Sequence, residues 1–309
     1  MLLALVLLSC LVVAAIFSWY RERPAETAML TAVDRPASAE PAEPPVPPAR
    51  VRAVEEFDEE LRAISEAHTG THGVAVFDLY SGESASLNAD RRFVAANLSK
   101  LYALLTLYTA ASRGELSLDD EITMRASDVW AEGTGVLYRY PVGHTMTLRE
   151  CARFLIKESD NTAEVMLNRY LGEEEIGAEL DRIGARSTSY WMPNTTTPHD
   201  VLLVLKAIAD PSYTSPELSA EMLDVMTGTA FEDRLPRPLP DGARVAHKIG
   251  SYKCTFSDAG IVLSAERSGV GQEYYIVVVS EGAPEGEARQ TIQEVSLAAY
   301  RALAAPEVR

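Results

Sequence analysis

The sequence predicts an α+β fold with three α/β/α layers, and three observations carry that reading. A helical pattern followed by two strand segments opens the folded part. A long helical block comes next, and three strand segments with a closing helix end the chain. Residues 54–68, VEEFDEELRAISEAH, place Val54, Phe57, Leu61 and Ile64 on one helical face. GVAVFDLYSGE (73–83) has strand composition and ends in a Ser-Gly turn, from which SASLNADRRF returns as its partner. Helical patterns then cover 97–112, 147–157, 160–170, 173–183 and 198–209. Thr147 and Glu150 have capping-box spacing, and Pro198 suits a first helical turn. RVAHKIGSY, TFSDAGIVLSAE and EYYIVVVSE return to strand composition, and 287–304 close as a helix. This order predicts one antiparallel sheet with the terminal helices on one face and an all-α lobe inserted after the second strand.

The 309 residues carry 28 Lys and Arg against 45 Asp and Glu, a formal charge of −17. Residues 1–53 hold five side chains of each sign, so the whole excess belongs to 54–309. An acidic domain of that kind repels phosphates, which argues against a nucleic-acid partner. Residues 2–20, LLALVLLSCLVVAAIFSWY, run without a charge and would span about 28 Å as a helix, close to a hydrocarbon core. Trp19 and Tyr20 fall at the interface, with Arg21 and Arg23 beyond. Residues 1–20 therefore read as a transmembrane anchor. A cleaved signal is one rival, and a lipoprotein signal with Cys10 as acceptor is another. The apolar run continues past Cys10, however, and no basic residue precedes it. Residues 21–53, rich in Pro, Ala and Glu, read as an extended linker, and 54–305 as the folded domain.

Cys10, Cys151 and Cys254 lack metal spacing. Cys151 and Cys254 read as small buried residues, with a bridge between them left open. The five histidines are scattered and no nucleotide fingerprint occurs, so neither a metal nor a cofactor is expected.

Several short motifs stand in order within this framework. They are FVAANLSK ahead of an apolar helix, GTGVLYRYPVG, Ser159-Asp160-Asn161, NTTTP (194–198) and Lys248-Ile249-Gly250. With the element order, they make residues 54–305 resemble the class A β-lactamase and penicillin-binding protein superfamily of serine hydrolases. The resemblance implies the β-lactamase/transpeptidase-like fold and an extracytoplasmic domain. It also implies a site in which a serine three residues before a lysine attacks an acyl carbonyl. Here the residue three before Lys100 is Asn97. A carboxamide has no attacking oxygen, only donors and an acceptor. Ser99 is adjacent to the lysine rather than one turn away, so helical geometry points it elsewhere, toward packing or solvent.

By the same resemblance, Ser159 would pass protons beside Lys248, Asn161 would hold a substrate amide, and Asp160 would order its loop. Ser-Asp-Asn is also simply a good helix start. Gly250 and the backbone N–H groups of Ser251 and Asn97 would form the oxyanion site, and Tyr138 would line the cleft mouth. Ile249 replaces a hydroxyl residue that helps receive a carboxylate, a loss of roughly 1.5–3 kcal/mol for one such hydrogen bond. No glutamate stands between RIGARSTSYWMP and NTTTP, where class A enzymes keep the acid that activates water. Removing a serine nucleophile costs on the order of a millionfold in turnover. The expectation is a membrane-tethered, catalytically impaired homologue that binds a peptidoglycan-like, peptide or β-lactam ligand, or a protein partner. The alternatives are an active hydrolase working through Ser99 or Ser159, and a purely structural domain.

Overall fold

Helix α1 (Pro48–Ala67) leads into strands β1 (Thr71–Asp78) and β2 (Ser84–Leu87). These form one edge of a five-stranded antiparallel sheet, in which β9 (Gln272–Glu281), β8 (Thr255–Leu263) and β7 (Arg244–Tyr252) follow in the order β2-β1-β9-β8-β7. The computed structural model describes residues 48–263 and 272–304, with side chains from 54 onward apart from 272 and 273. The anchor or signal expected at 1–20 and most of the linker lie outside those residues. Among the described residues no helix is long and apolar enough to cross a membrane. Helix α1 starts six residues earlier than its apolar pattern, at Pro48. Ala, Arg and Val carry the added turn, and Pro48 suits a first helical position.

The sheet separates two apolar layers. On one face Val54, Phe57 and Leu61 of α1 meet Val74, Val76, Ile276 and Val278, together with Ile292 and Val295 of α8 (Glu285–Leu303). Burying each such side chain contributes about 1.5–3 kcal/mol. On the other face Ala75, Val277, Val279 and Ile261 meet the helical lobe. That lobe comprises α2 (Ser99–Ser112), α3 (Leu148–Lys157), α4 (Asn161–Leu171), α5 (Glu173–Arg182), α6 (Pro198–Ala209) and α7 (Pro216–Met226). The three-layer α+β expectation holds.

Helix α2 is buried continuously from Ser99 to Ala110, as expected of a central helix that is apolar on all sides. Thr147 and Glu150 form the expected capping box on α3, and Pro198 occupies the first turn of α6 behind the Thr197 cap. Helix α7 was not anticipated, although Ser215 caps it and Pro216 stands in its first turn. Two small pairings were also missed: β3 (Phe93–Val94) with β6 (Thr195–Thr196), and β4 (Glu121–Thr123) with β5 (Thr145–Thr147). Such short segments carry no readable period. Cys151 and Cys254 are both free, and Cys254 is exposed rather than buried.

Candidate active site

Three segments meet where the lobe joins β7. The first is a 3-10 turn, Ala96–Leu98, that carries Asn97 into α2. Ala96 holds φ 49°, a left-handed conformation uncommon outside glycine. The second is the turn between α3 and α4, where Ser159 holds φ 51°. The third is β7, which passes close beside the 3-10 turn because position 250 is glycine. A Cβ there would stand 2.4 Å from Ser257 Oγ and 3.0 Å from the Ala95 carbonyl.

Lys100 is completely buried. Its Nζ donates to Asn97 Oδ1 at 2.8 Å, to the Ser159 carbonyl at 2.9 Å and to Asn161 Oδ1 at 2.6 Å. It also lies 3.3 Å from the Glu164 carboxylate. Burial lowers the pKa of this amine, and Glu164 opposes the shift. Lys248 is equally buried. Its Nζ reaches Ser159 Oγ and the Ile249 carbonyl, each at 2.9 Å. Burial holds the Lys248 pKa well below the usual lysine range, and the Lys100 cation pushes in the same direction. Asn97, Asn161 and Ser251 are half-buried and form the outer members of the cluster. Asn161 Nδ2 donates to the Glu132 carbonyl at 2.8 Å, which ties α4 to the rim.

Asp160 orders its loop. One carboxylate oxygen caps α4 at Ala163 N, while the other receives the N–H groups of Val136 and Leu137. Ile249 is buried and apolar, so it offers no donor. Ser251 Oγ instead accepts from Arg234, whose other donors reach the Gly250 and Ser257 carbonyls. Tyr138 is not joined to the lysine cluster by any hydrogen bond or ring contact among the described residues. Its hydroxyl accepts from Arg139 Nε at 3.0 Å.

One placement corrects the sequence expectations. Ser99 does not face solvent or simple packing. Its hydroxyl donates to Glu164 Oε1 at 2.7 Å and to the Ala96 carbonyl at 2.9 Å. The 3-10 turn shifts the phase of the chain before α2, and one carboxylate spans Ser99 and Lys100 together. A carboxylate that the sequence reading passed over also joins the cluster: Glu164 lies three residues after Asn161 and so on the same helical face of α4. That i, i+3 relation was readable. The roles of Arg234 and of Asn194, whose Nδ2 donates to the Ala96 carbonyl at 3.0 Å, were not. They depend on contacts remote in sequence. Among the described residues no group of three His, Cys, Asp or Glu side chains is placed to hold a metal.

The chain that builds this cluster, a helical lobe against an antiparallel sheet, is similar to known proteins. The profile of the "Beta-lactamase enzyme family" matches residues 56–303. A β-lactamase of Amycolatopsis lactamdurans is 31% identical over 48% of this chain and 49% of its own length. A β-lactamase of Bacteroides uniformis is 25% identical over 74% of this chain and 83% of its own. Among solved structures PBP-A is 28% identical, with a TM-score of 0.73 over 80% of this chain and 95% of that one. A mutant of PBP-A, equally similar, is an acyl-enzyme complex with penicillin G. The chain belongs to the β-lactamase enzyme family.

Proposed function

We propose that this protein is a catalytically impaired member of its family, one that binds a β-lactam-like or peptidoglycan-like ligand, or a protein partner, in the inherited cleft. One observation carries this reading. At the position where Lys100 Nζ would meet a nucleophilic hydroxyl, it meets the Asn97 amide oxygen at 2.8 Å. An amide nitrogen, with its lone pair delocalised, forms no acyl intermediate. Lys100, Ser159, Asn161, Lys248, Gly250 and Ser251 keep the shape of a binding site around that substitution. The reading also places the domain outside the cytoplasm, tethered by residues 1–20; the charge-free run and its interfacial aromatics support the tether, and the family resemblance alone supports the outside location.

Hydrolysis through Ser99 loses support, because its hydroxyl is hydrogen-bonded to the Glu164 carboxylate and the Ala96 carbonyl and not to a lysine amine. The decisive experiment incubates the protein with a fluorescent penicillin and with nitrocefin, while thermal shift follows reversible binding of benzylpenicillin and of a peptidoglycan stem peptide. The expected result is saturable stabilisation without a covalent band or colour change. A penicillin-labelled band that disappears in Lys100→Ala would overturn the reading.

A further inference from the structure

Two histidines stand at the corner where α1 hands the chain to β1, and they are held differently. His68 follows α1 and is tied to α8: its Nε2 lies 2.8 Å from Glu294 Oε2 and its Nδ1 3.8 Å from Glu287 Oε1. His72, the second residue of β1, is only 2% exposed, and neither ring nitrogen has a hydrogen-bond partner among the described residues. Its cross-strand neighbour on β9 is Ser280, which is fully covered and whose Oγ is equally unpartnered among them. Strand alternation puts both on the face of Val74 and Val278, the face that α1 and α8 cover. Sealing two polar side chains there without partners costs stability.

The corner is clamped from α8. Glu287, in the first turn of that helix, accepts from Thr69 N at 2.6 Å and from Thr69 Oγ1 at 2.8 Å. Those donors, the backbone one first, hold the Glu287 carboxyl below its usual range, so it stays charged through the interval in which histidine titrates. Gly70 makes the fit tight: at φ 98° it lies against the end of β9, where a Cβ would stand 2.6 Å from the Glu281 carbonyl. The charged groups flanking His72 are therefore His68 at the corner, Glu287 and Glu294 on α8, and Glu281 on β9. Glu281 is itself paired with Arg91 at 2.9 Å. Strand β8 contributes the uncharged Phe256 opposite Ser280, and on the β2 side Asn88 Nδ2 donates to the His72 carbonyl at 2.7 Å. All three carboxylates have partners, and none is hydrogen-bonded to the His72 ring.

A proton taken up from solvent would make His72 a buried imidazolium with two N–H donors, no acceptor and a second imidazole nearby. Burial pulls its pKa down, so the closed arrangement holds the ring neutral. An arrangement that lets the charged ring reach water or Glu287 gains as pH falls. We infer that His72 is an acid-sensitive latch: its protonation frees the corner at 68–71 and the first turns of α8 from each other, while the rest of the domain stays folded. The opening is local because the later turns of α8 are held separately. Ile292 and Val295 lie in the apolar layer, Gln293 Nε2 donates to the Asp233 carbonyl at 2.9 Å, and Ser296 Oγ donates to the Leu235 carbonyl at 2.7 Å. The closed form is undisturbed above about pH 6.5, the ordinary histidine value, and yields as pH falls below it. The latch lies beyond the proposed ligand binding and does not depend on what the cleft at Asn97 accepts.

The test is amide exchange of the purified full chain, read by peptide mass at about pH 7.5 and about pH 5 and corrected for the intrinsic pH dependence of exchange. Peptides covering 68–75 and 285–291 should lose protection by about tenfold at the lower pH, while α2 should keep its own. His72→Leu should abolish the loss, since leucine fills the covered site and takes up no proton. Should that variant fail to fold, the His72 Cε1 resonance of the unsubstituted protein carries the test, and its titration midpoint should coincide with the exchange step. Unchanged protection at the corner, an equal loss in His72→Leu, a midpoint apart from the exchange step, or a loss shared by α2 would overturn the inference. None of these outcomes bears on penicillin binding, so the two readings fail separately.

Discussion

Glu164→Gln is the most informative single perturbation of the site, because it removes a charge and keeps the shape. Glu164 Oε2 lies 3.3 Å from a lysine that is completely buried, and the carboxylate itself is only 12% exposed. At that distance two unit charges attract by about 5 kcal/mol for an effective dielectric constant of roughly 20. Breaking a buried pair by removing one partner costs about 3–5 kcal/mol, because the surviving charge is left uncompensated. Glutamine still presents an acceptor to the Ser99 hydroxyl, so that hydrogen bond is retained. For a domain of this size each kcal/mol lowers Tm by about 2–4 °C, and Glu164→Gln should therefore lower it by roughly 6–20 °C. Calorimetry of Glu164→Gln, Lys100→Met and the double substitution closes a cycle. The double variant should recover most of the loss, since an uncharged pair of similar volume leaves no uncompensated buried charge. A Tm within about 2 °C of the parent for Glu164→Gln alone would show that Lys100 does not depend on this carboxylate.

Gly250→Ala should destabilise by about 1–3 kcal/mol through overpacking against Ser257 Oγ and the Ala95 carbonyl. Adding Ser257→Ala should restore only part of the urea midpoint, because the carbonyl contact remains. The pH dependence should have two limbs. Burial pulls the His247 pKa down, but Asp258 and Glu232 outweigh it and raise it to about 9. The resulting stabilisation, roughly 3 kcal/mol, is fully present below about pH 6.5 and is lost as pH rises through about 9. His72, whose ring nitrogens lack hydrogen-bond partners among the described residues, is shifted down by burial. Its contribution is present above about pH 6.5 and is lost as pH falls. Urea midpoints across pH should show His247→Asn flattening the alkaline limb and His72→Leu the acid one; limbs unchanged in both variants would contradict the assignment. Asn97→Ser places a hydroxyl beside Lys100 and removes one acceptor that holds its ammonium. Gel fluorescence with labelled penicillin should then show a persistent covalent band, because Glu164 is already engaged by Ser99 and Lys100.

Much of the fold was legible because its signals are local and long enough to repeat. The apolar stripe of α1, the capping box of α3 and the β-branched run of β9 each announced an element without reference to the rest of the chain. The missed pieces are of two kinds. Strands β3 to β6 hold two or three residues each and are defined by their partners, and Phe93 gives no sign that it will pair with Thr196. Helix α7 carried a proper start at Ser215 and Pro216, which went unread amid the turn residues before it. For the site, it was the family resemblance that put Lys100, Ser159, Asn161 and Lys248 together, and the structure joins them by hydrogen bonds. Glu164 went unread because α4 was read for its Ser-Asp-Asn start and not for the residue one turn along it. Arg234 could not have been read at all, since its contacts to Gly250 and Ser251 cross from an irregular segment to a strand.

The carboxylate of Asp160 joins two parts of the molecule that would otherwise be free to shift separately. The same group that starts α4 also grips the backbone at 136 and 137, and Gly135 must lack a side chain because a Cβ would lie 2.4 Å from Asp160 Oδ2. The backbone at 136 and 137 is therefore held by the same side chain that caps the helix bearing Asn161 and Glu164. Any ligand that displaces the 136–137 backbone should therefore disturb this cap, and its binding should be detectable as altered amide-exchange protection at Ala163 and Glu164.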